Sequence, residues 1–458
     1  MRLYVDVLVA EIGSTTTVVN AFTDLKGESP RFLGQGFSPT TVESGDVREG
    51  LRGAIASLED NLEVEALEWG EMLACSSAAG GLRMTVHGLV YDMTVKAANE
   101  AALGAGAVVK KVTAGELTES DLKKIREINP NIILLAGGVD YGERATALSN
   151  AKRIKALDLG VPVIYAGNVA NQEEIEAIFE DDVYLVENVY PRIDQLNVEP
   201  TRRAIQTVFE QHIVKAPGMG GVRDLVSGEI RPTPGAVMRA AQGLYEIVGD
   251  LMVFDVGGAT TDVHSVTEGS DEISRLLIAP EPVAKRTVEG DLGVFVNAQN
   301  LISRIGSDVL RTELEISEEN WGEEIPKIPK EEHHKRLIAR LGCEAVRLAL
   351  SRHAGKTRYL YGPSGRTTIA EGKDLTDVKW VIGTGGVLTQ LSVGRQILET
   401  TMEKNNPMAL YPKEFEIIID RDYIMAACGM LFPRYAEGAA KILAASLDLP
   451  EAVGGEVE

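Results

Sequence analysis

Apolar and polar positions along this chain follow two different rhythms. The opening part carries short β-rich runs. Leu3 to Ala10 and Thr17 to Phe22, separated by a turn-like Gly-Ser-Thr-Thr, read as a hairpin. Met72 to Ser76 and Leu82 to Val90 are further strand candidates, and the alanine-rich stretch Met93 to Gly106 reads as a tightly packed helix. From Val108 to Glu187 the rhythm changes. The apolar runs Ile132–Ala136, Val161–Ala166 and Val183–Val186 each follow a charged, helix-patterned stretch, namely Glu119–Ile128, Glu143–Leu157 and Gln172–Phe179. Such alternation predicts β-α units around a parallel sheet. Two of these strands end in glycine-bearing turns, Ala136–Gly138 and Ala166–Asn168, read first as ordinary βα turns. Helical pattern returns over Pro234–Ile247 and strand pattern over Leu251–Val256, while Thr312–Lys335 is a strongly charged excursion.

Length and charge narrow the choice of function. At 458 residues, with 44% apolar, the chain can form two or three domains with real cores. Lys and Arg total 46 against 68 Asp and Glu, a net charge of −22. That sign repels nucleic-acid backbones and anionic lipid, so neither is expected as a partner. It leaves room for a small anion held by backbone amides. Cys75, Cys343 and Cys428 lie far apart, with no CxxC pair, which suits buried thiols in a reducing cytosol. No uncharged apolar run reaches the roughly 18 residues of a membrane span, and Tyr4–Ala10 reads as a strand rather than a signal peptide. A soluble cytoplasmic protein is expected.

The candidate chemistry lies in three clusters. No GxxxxGK[ST] occurs, no GxGxxG follows the first strand, and GxSxG and HExxH are absent. Present instead are EIGSTTT (Glu11 to Thr17), DVGGATTDV (Asp255 to Val263) and VIGTGGVLTQ (Val381 to Gln390), each after an apolar strand. The first two place an acid at a strand end, then glycine, then hydroxyl residues in a tight turn. Backbone N–H groups and hydroxyls in such a turn can cradle phosphate oxygens. The acid beside them suits Mg²⁺, which takes one or two carboxylates plus phosphate and water. Glycine-rich backbone in the third cluster can lie flat against a nucleoside. Any one cluster alone is an ordinary turn; the ordered set of three favours a nucleotide site.

This set resembles the phosphate-1, phosphate-2 and adenosine motifs of the actin, sugar-kinase and heat-shock-chaperone ATPase superfamily. Adding IILLAGGVDYG, TPGAVMRAA and RTVEGDLG, the chain from about Val5 to about Leu431 resembles the GlmL/MutL family. Those are accessory proteins encoded alongside adenosylcobalamin-dependent glutamate mutase and related aminomutases. The resemblance implies a two-lobed actin-like (ribonuclease-H-like) α/β ATPase fold. Lobe I would span 1–240 with an inserted α/β subdomain at about 108–190, and lobe II 241–422. The remainder, 423–458, would return a helix to lobe I and end in an acidic tail.

The resemblance also implies roles at matching positions. Gly13, Ser14, Thr15 and Thr16 on one side, and Gly257, Gly258, Thr260 and Thr261 on the other, would hold the ATP phosphates. Gly383, Gly385 and Gly386 would face the adenosine. Glu11 and Asp255 would be the catalytic and Mg²⁺-binding acids; Asp262 matches an acid seen in many relatives, with bracing of the loop as its alternative role. The superfamily usually has Asp where this chain has Glu11, and the extra methylene suits slow hydrolysis. Partners implied are adenosylcobalamin-dependent aminomutase subunits; a homo-oligomer is left open. Three functions stay in play: a nucleotide-driven accessory protein, a small-molecule kinase or ATP-dependent amidohydrolase with Asp140–Arg144 as a source of a base, and a nucleotide-binding pseudo-enzyme. An activator of a 2-hydroxyacyl-CoA dehydratase would need a cluster-ligating cysteine pair, for which no motif exists.

Overall fold

The computed structural model describes residues 2–13, 16–41, 45–77, 82–213, 218–219, 221–228, 230–315, 325, 331–362, 365–402 and 406–449. The chain forms two units, Met1–Arg239 with Pro433–Gly438, and Ala240–Phe432 with Ala439–Glu458. The C-terminal stretch, expected to return to the first lobe, is thus divided between them. The boundary between residues 239 and 240 falls inside the helix Thr233–Val248.

The first unit contains, in chain order, β1 (Arg2–Ile12), β2 (Thr16–Thr23), β3 (Arg31–Pro39), β4 (Ala66–Ser76), β5 (Leu82–Gly88), β6 (Ala107–Ala114), β7 (Ile132–Leu135), β8 (Val163–Tyr165), β9 (Val183–Leu185) and β10 (Ile230–Pro232). Its main sheet runs β10-β4-β1-β2-β3. Strands β1, β2 and β3 are antiparallel, while β4 and β10 run parallel to β1. Central β1 is buried without a break from Val7 to Ile12, which explains why its sequence shows a continuous apolar run.

The second unit contains β11 (Leu251–Val256), β12 (Thr261–Val266), β13 (Ala284–Glu289), β14 (Lys356–Gly362), β15 (Gly365–Glu371), β16 (Trp380–Thr384) and β17 (Glu416–Ile419). Its sheet runs β13-β12-β11-β16-β17, with β11, β12 and β13 antiparallel and β16 and β17 parallel to β11. Both sheets therefore share one order: third, second, first, fourth, fifth. This order, present twice, is that of the actin-like, ribonuclease-H-like ATPase fold. Strands β14 and β15 form a separate hairpin.

Between β4 and β10 lies an all-parallel sheet, β6-β5-β7-β8-β9. It takes in β5 and β6 and so begins at Leu82, ahead of the expected residue 108. Successive side chains of a strand point to opposite faces. Ile133, Leu135, Val163 and Tyr165 pack with Ile125, Ala151 and Ile175 from the helices Glu119–Ile128, Ala145–Lys155 and Gln172–Phe179. Their neighbours Ile132, Leu134 and Ile164 join the core that holds Ala98 and Ala102 of helix Lys96–Gly104 and Ile205 of helix Glu199–Ile213. Helix Glu119–Ile128 starts on a capping box: Thr118 accepts from the Asp121 amide while Asp121 accepts from the Thr118 amide. No helix among the described residues is long and apolar enough to cross a membrane.

Close packing of β3 on the helix Val47–Asn61 depends on a missing side chain. A Cβ on Gly36 would lie 2.2 Å from the Ala54 carbonyl oxygen and 2.3 Å from the Leu58 nitrogen. Gly36→Ala is expected to cost about 1–3 kcal/mol by forcing the helix off the sheet. Urea denaturation measures this, and an unchanged midpoint would contradict the packing.

Candidate functional site

The two acid-hydroxyl clusters fold into one kind of hairpin. In the first, Glu11 pairs with Val18 and Ile12 with Thr17; in the second, Asp255 pairs with Asp262 and Val256 with Thr261. Each turn closes on the same bond: the Gly13 amide donates to the Thr16 carbonyl at 3.0 Å, and the Gly257 amide to the Thr260 carbonyl at 2.9 Å. A Cβ on Gly13 would sit 2.7 Å from that carbonyl oxygen, and one on Gly257 would sit 3.2 Å away. Thr16 and Thr260 are half-buried and Gly258 is exposed. Ser14 and Thr15, both expected phosphate contacts, lie outside the described residues.

Each turn is braced from behind by a hydroxyl. In the first unit Thr40 Oγ1 donates to the Gly13 carbonyl at 2.9 Å, and Thr17 Oγ1 lies 2.9 Å from Thr40 Oγ1. Since Thr40 has given its proton to Gly13, Thr17 donates to Thr40. The Ile12 carbonyl accepts from the Ser77 amide at 3.0 Å and from Ser76 Oγ at 3.3 Å. Glu11 is buried next to its register partner Cys75; burial, then the Glu11 charge, push the thiol well up.

In the second unit the RTVEGDLG stretch (Arg286–Gly293) and the residues just after it supply the brace. Thr261 Oγ1 donates to the Leu292 carbonyl at 2.9 Å, Phe295 and Val296 amides donate to the Gly258 carbonyl at 2.9 and 2.8 Å, and Asn297 Nδ2 donates to the Ala259 carbonyl at 2.9 Å. A Cβ on Gly293 would meet the Ala259 carbonyl carbon at 2.3 Å, so glycine there lets the clamp close. This corrects the role expected of Thr261. Its hydroxyl has one proton, already donated, and its side chain is fully buried, so it holds the turn rather than a phosphate. Asp262 likewise braces, 3.3 Å from the guanidinium of Arg286 with both side chains buried.

The third cluster meets the second at Asp255, which is in register with Thr384. Its three glycines have three different reasons. A Cβ on Gly383 would strike Ile419, Leu398 and Leu388, so this glycine admits core side chains and does not face a nucleoside as expected. Gly385 has φ +82°, and a Cβ there would lie 2.4 Å from the Asp255 carboxylate. Gly386 is exposed, with nothing within 4 Å of its missing Cβ. Thr384 Oγ1 donates at 3.0 Å to Asp420, an acid just past β17 that the sequence reading passed over. Asp420 also accepts from the Ile424 and Met425 amides at 3.2 and 3.0 Å and from Ser446 Oγ at 3.2 Å, fixing the helix Met425–Leu431 to the sheet. The apolar run before it, Ile417 to Ile419, ends in an acid as β11 does, and that was the available signal.

Against known proteins, the family model described as MutL protein matches residues 7–447. The chain belongs to the MutL protein family. It is 37% identical to Protein MutL of Clostridium tetanomorphum over 455 residues, covering 95% of this chain and 98% of that one. Among solved structures, a diol dehydratase-reactivating factor in nucleotide-free form overlaps 94% of this chain and 99% of its own at 10% identity, with a TM-score of 0.36. A glycerol dehydratase reactivase overlaps 93% and 99% at 12% identity, with a TM-score of 0.33. These overlaps are loose, and the fold assignment rests on the strand order of the two sheets.

In this MutL-family site the acids are not equivalent. Asp255 keeps partial exposure, yet protein closes round its carboxyl, and its pKa is pushed up to about 7. Burial is the first cause and Asp262 the second; Arg286 opposes them and Asp420 adds to them. A carboxyl raised first by burial and then by a neighbouring acid is one whose charged form a cation would stabilise. Among the described residues no group of three or more His, Cys, Asp or Glu could enclose a metal by itself. A divalent ion here would draw its other ligands from phosphate and water, the usual habit of Mg²⁺.

A raised acid pKa carries a signed consequence. Between an unfolded value near 3.8 and about 7 the folded state binds the extra proton, so stability falls as pH rises through that window. Asp255→Asn removes the penalty. In metal-free buffer the variant is expected to be more stable than the parent at pH 8 by on the order of 1–3 kcal/mol in urea denaturation, with the gap closing towards pH 4. A gap independent of pH would contradict the assignment.

Proposed function

We propose that this MutL-family protein is an ATP-driven accessory protein that reactivates an adenosylcobalamin-dependent aminomutase of the glutamate mutase type. The observation that carries the nucleotide half is the repeated hairpin: an acid ending a buried strand, then a turn closed by the same glycine-amide bond at Gly13 and at Gly257. Family membership supports the mutase half.

Gly13, Ser14, Thr15 and Thr16 would hold phosphate oxygens, as would Gly257, Gly258 and Thr260. Gly385 and Gly386 would lie along the nucleoside. Glu11 and Asp255 would hold Mg²⁺, which when bound supplies neutralisation of phosphate charge. Asp255 would orient the attacking water and accept its proton at the carboxylate, a task suited to a carboxyl titrating near neutrality. Gly385 keeps the space beside that carboxylate clear, and the Thr384–Asp420 bond ties the nucleoside-side strand to the helix Met425–Leu431. Lobe closure on nucleotide would then act on the client through the difference in affinity between open and closed states.

Hydrolysis is expected to be slow. Arg286, the cation acting on Asp255, is fully buried against Asp262 and so cannot reach a transferring phosphoryl group. Calorimetry should give Mg²⁺-dependent ATP binding, and inactivated glutamate mutase should regain activity with this chain only when ATP is present. Equal recovery without nucleotide would sink the mechanism. Glu11→Asp, with the shorter reach usual in the superfamily, is expected to raise ATP turnover about tenfold or more while ATP affinity stays within a few-fold. Unchanged turnover would show that the Glu11 side chain is not what limits the rate.

A further inference from the structure

The inserted parallel sheet, β6-β5-β7-β8-β9, has no part in the nucleotide reading. Loops leaving the carboxyl ends of its strands are where α/β sheets place their sites. Here the glycines of those loops leave no crevice: a Cβ on Gly167 would meet the Gly137 amide at 2.4 Å, and one on Gly138 the Glu143 carbonyl at 2.9 Å. At these glycines the loops pack backbone against backbone.

What they expose is apolar. Val90 and Tyr91 follow β5, Tyr141 follows β7, Val169 follows β8 and Ile193 follows β9. Tyr141 is 84% exposed, Ile193 70% and Tyr91 64%. One network locks their loops together. Asp140 Oδ1 accepts from the Val169 amide at 3.0 Å and from Asn188 Nδ2 at 2.8 Å, and the Asp140 amide donates to the Pro191 carbonyl at 3.0 Å. Asn168 Oδ1 accepts from the Tyr141 amide at 2.9 Å, while the Asp194 amide donates to Tyr190 Oη at 2.9 Å. With its carboxylate engaged this way, Asp140 is a fastener and not the base considered for a kinase.

Tyr141 is held with φ +60°, a backbone region that bulky residues avoid. An aromatic kept in that conformation at the tip of a pinned loop, almost wholly in water, contributes nothing to the core. Tyr91 opens a five-residue π-helical turn, Tyr91–Val95, a rare form that recurs at functional sites. The same loops also expose the acids Asp92, Glu143, Glu187 and Asp194. The arginines nearby are Arg192 and Arg144, the latter tied to Glu174 at 2.6 Å.

We infer that this rim is a docking surface for a protein partner, with Tyr141 as the anchor that enters an apolar pocket edged by lysine and arginine. A second copy related by a two-fold axis would set acidic rim against acidic rim, which disfavours it. Rigid, exposed tyrosine is the residue type that dominates interface energetics. The inference rests on the accessory-protein reading, and the partner is then the aminomutase.

The test uses the full chain and purified adenosylcobalamin-dependent glutamate mutase as the binding probe, by calorimetry at low and high salt. Tyr141→Ala is expected to weaken binding about 30-fold. Tyr141→Gly, which suits the backbone angle, should melt no lower than the parent and lose binding equally. Glu143→Lys should weaken binding several-fold at low salt and flatten its salt dependence. ATP affinity of all three should match the parent, which shows that they fold. Parental mutase affinity in both Tyr141 variants would overturn the surface and leave the accessory reading standing. No binding by the parent chain would overturn that reading and the surface with it. Sedimentation showing a parental oligomer that dissociates on Tyr141→Ala would put a second copy on the rim and overturn the assignment.

Discussion

A carboxyl group at the mouth of a buried central strand is the constraint around which each sheet is arranged. Burying such a charge without compensation costs several kcal/mol. The second unit meets this cost in three ways within one neighbourhood. Asp262 takes a guanidinium, Arg286; Asp420 takes four hydrogen bonds, two of them from a helix amide pair; Asp255 keeps a proton. The first two solutions are met from within the chain, although burial still raises both acids. Among the described residues Asp255 has no such partner of its own and keeps partial exposure, which is the pattern of a functional group.

Much of this was legible in the residues, and the exceptions have physical reasons. The helices Glu119–Ile128 and Gln172–Phe179 fall where the charge pattern predicts, because each adjoins a short strand, β7 or β8, that is buried on both faces. Strand β3 escaped notice because its sequence, RFLGQGFSP, trades apolar side chains for Gly34 and Gly36 beneath a helix. The insert's true start was hidden because β5 and β6 are adjacent in space while a helix separates them in the chain. Composition marks the three clusters, but it cannot assign duties within them. Glycine reads the same whether it admits Ile419 or opens to solvent, and the carbonyl that occupies Thr261 lies 31 residues further on.

The stretches that pointed to the family turn out to be supports. RTVEGDLG lends Arg286 to Asp262 and lays its loop against the second turn, while AGGVDYG contributes Asp140 to the network beneath the insert's exposed rim. Neither offers a reacting group of its own. A superfamily shares its ligand-facing glycines and hydroxyls; what distinguishes one branch is how those are held and what else the chain displays.

Two sheets of like order are carried here by one polypeptide rather than by two identical ones. In a true two-fold pair any substitution appears in both copies at once. A single chain is free of that restriction, and its two sheets differ: glutamate beside a cysteine in one, aspartate beside a threonine in the other, and an entire parallel sheet inserted in the first unit alone. Each acid can therefore be altered without altering its counterpart.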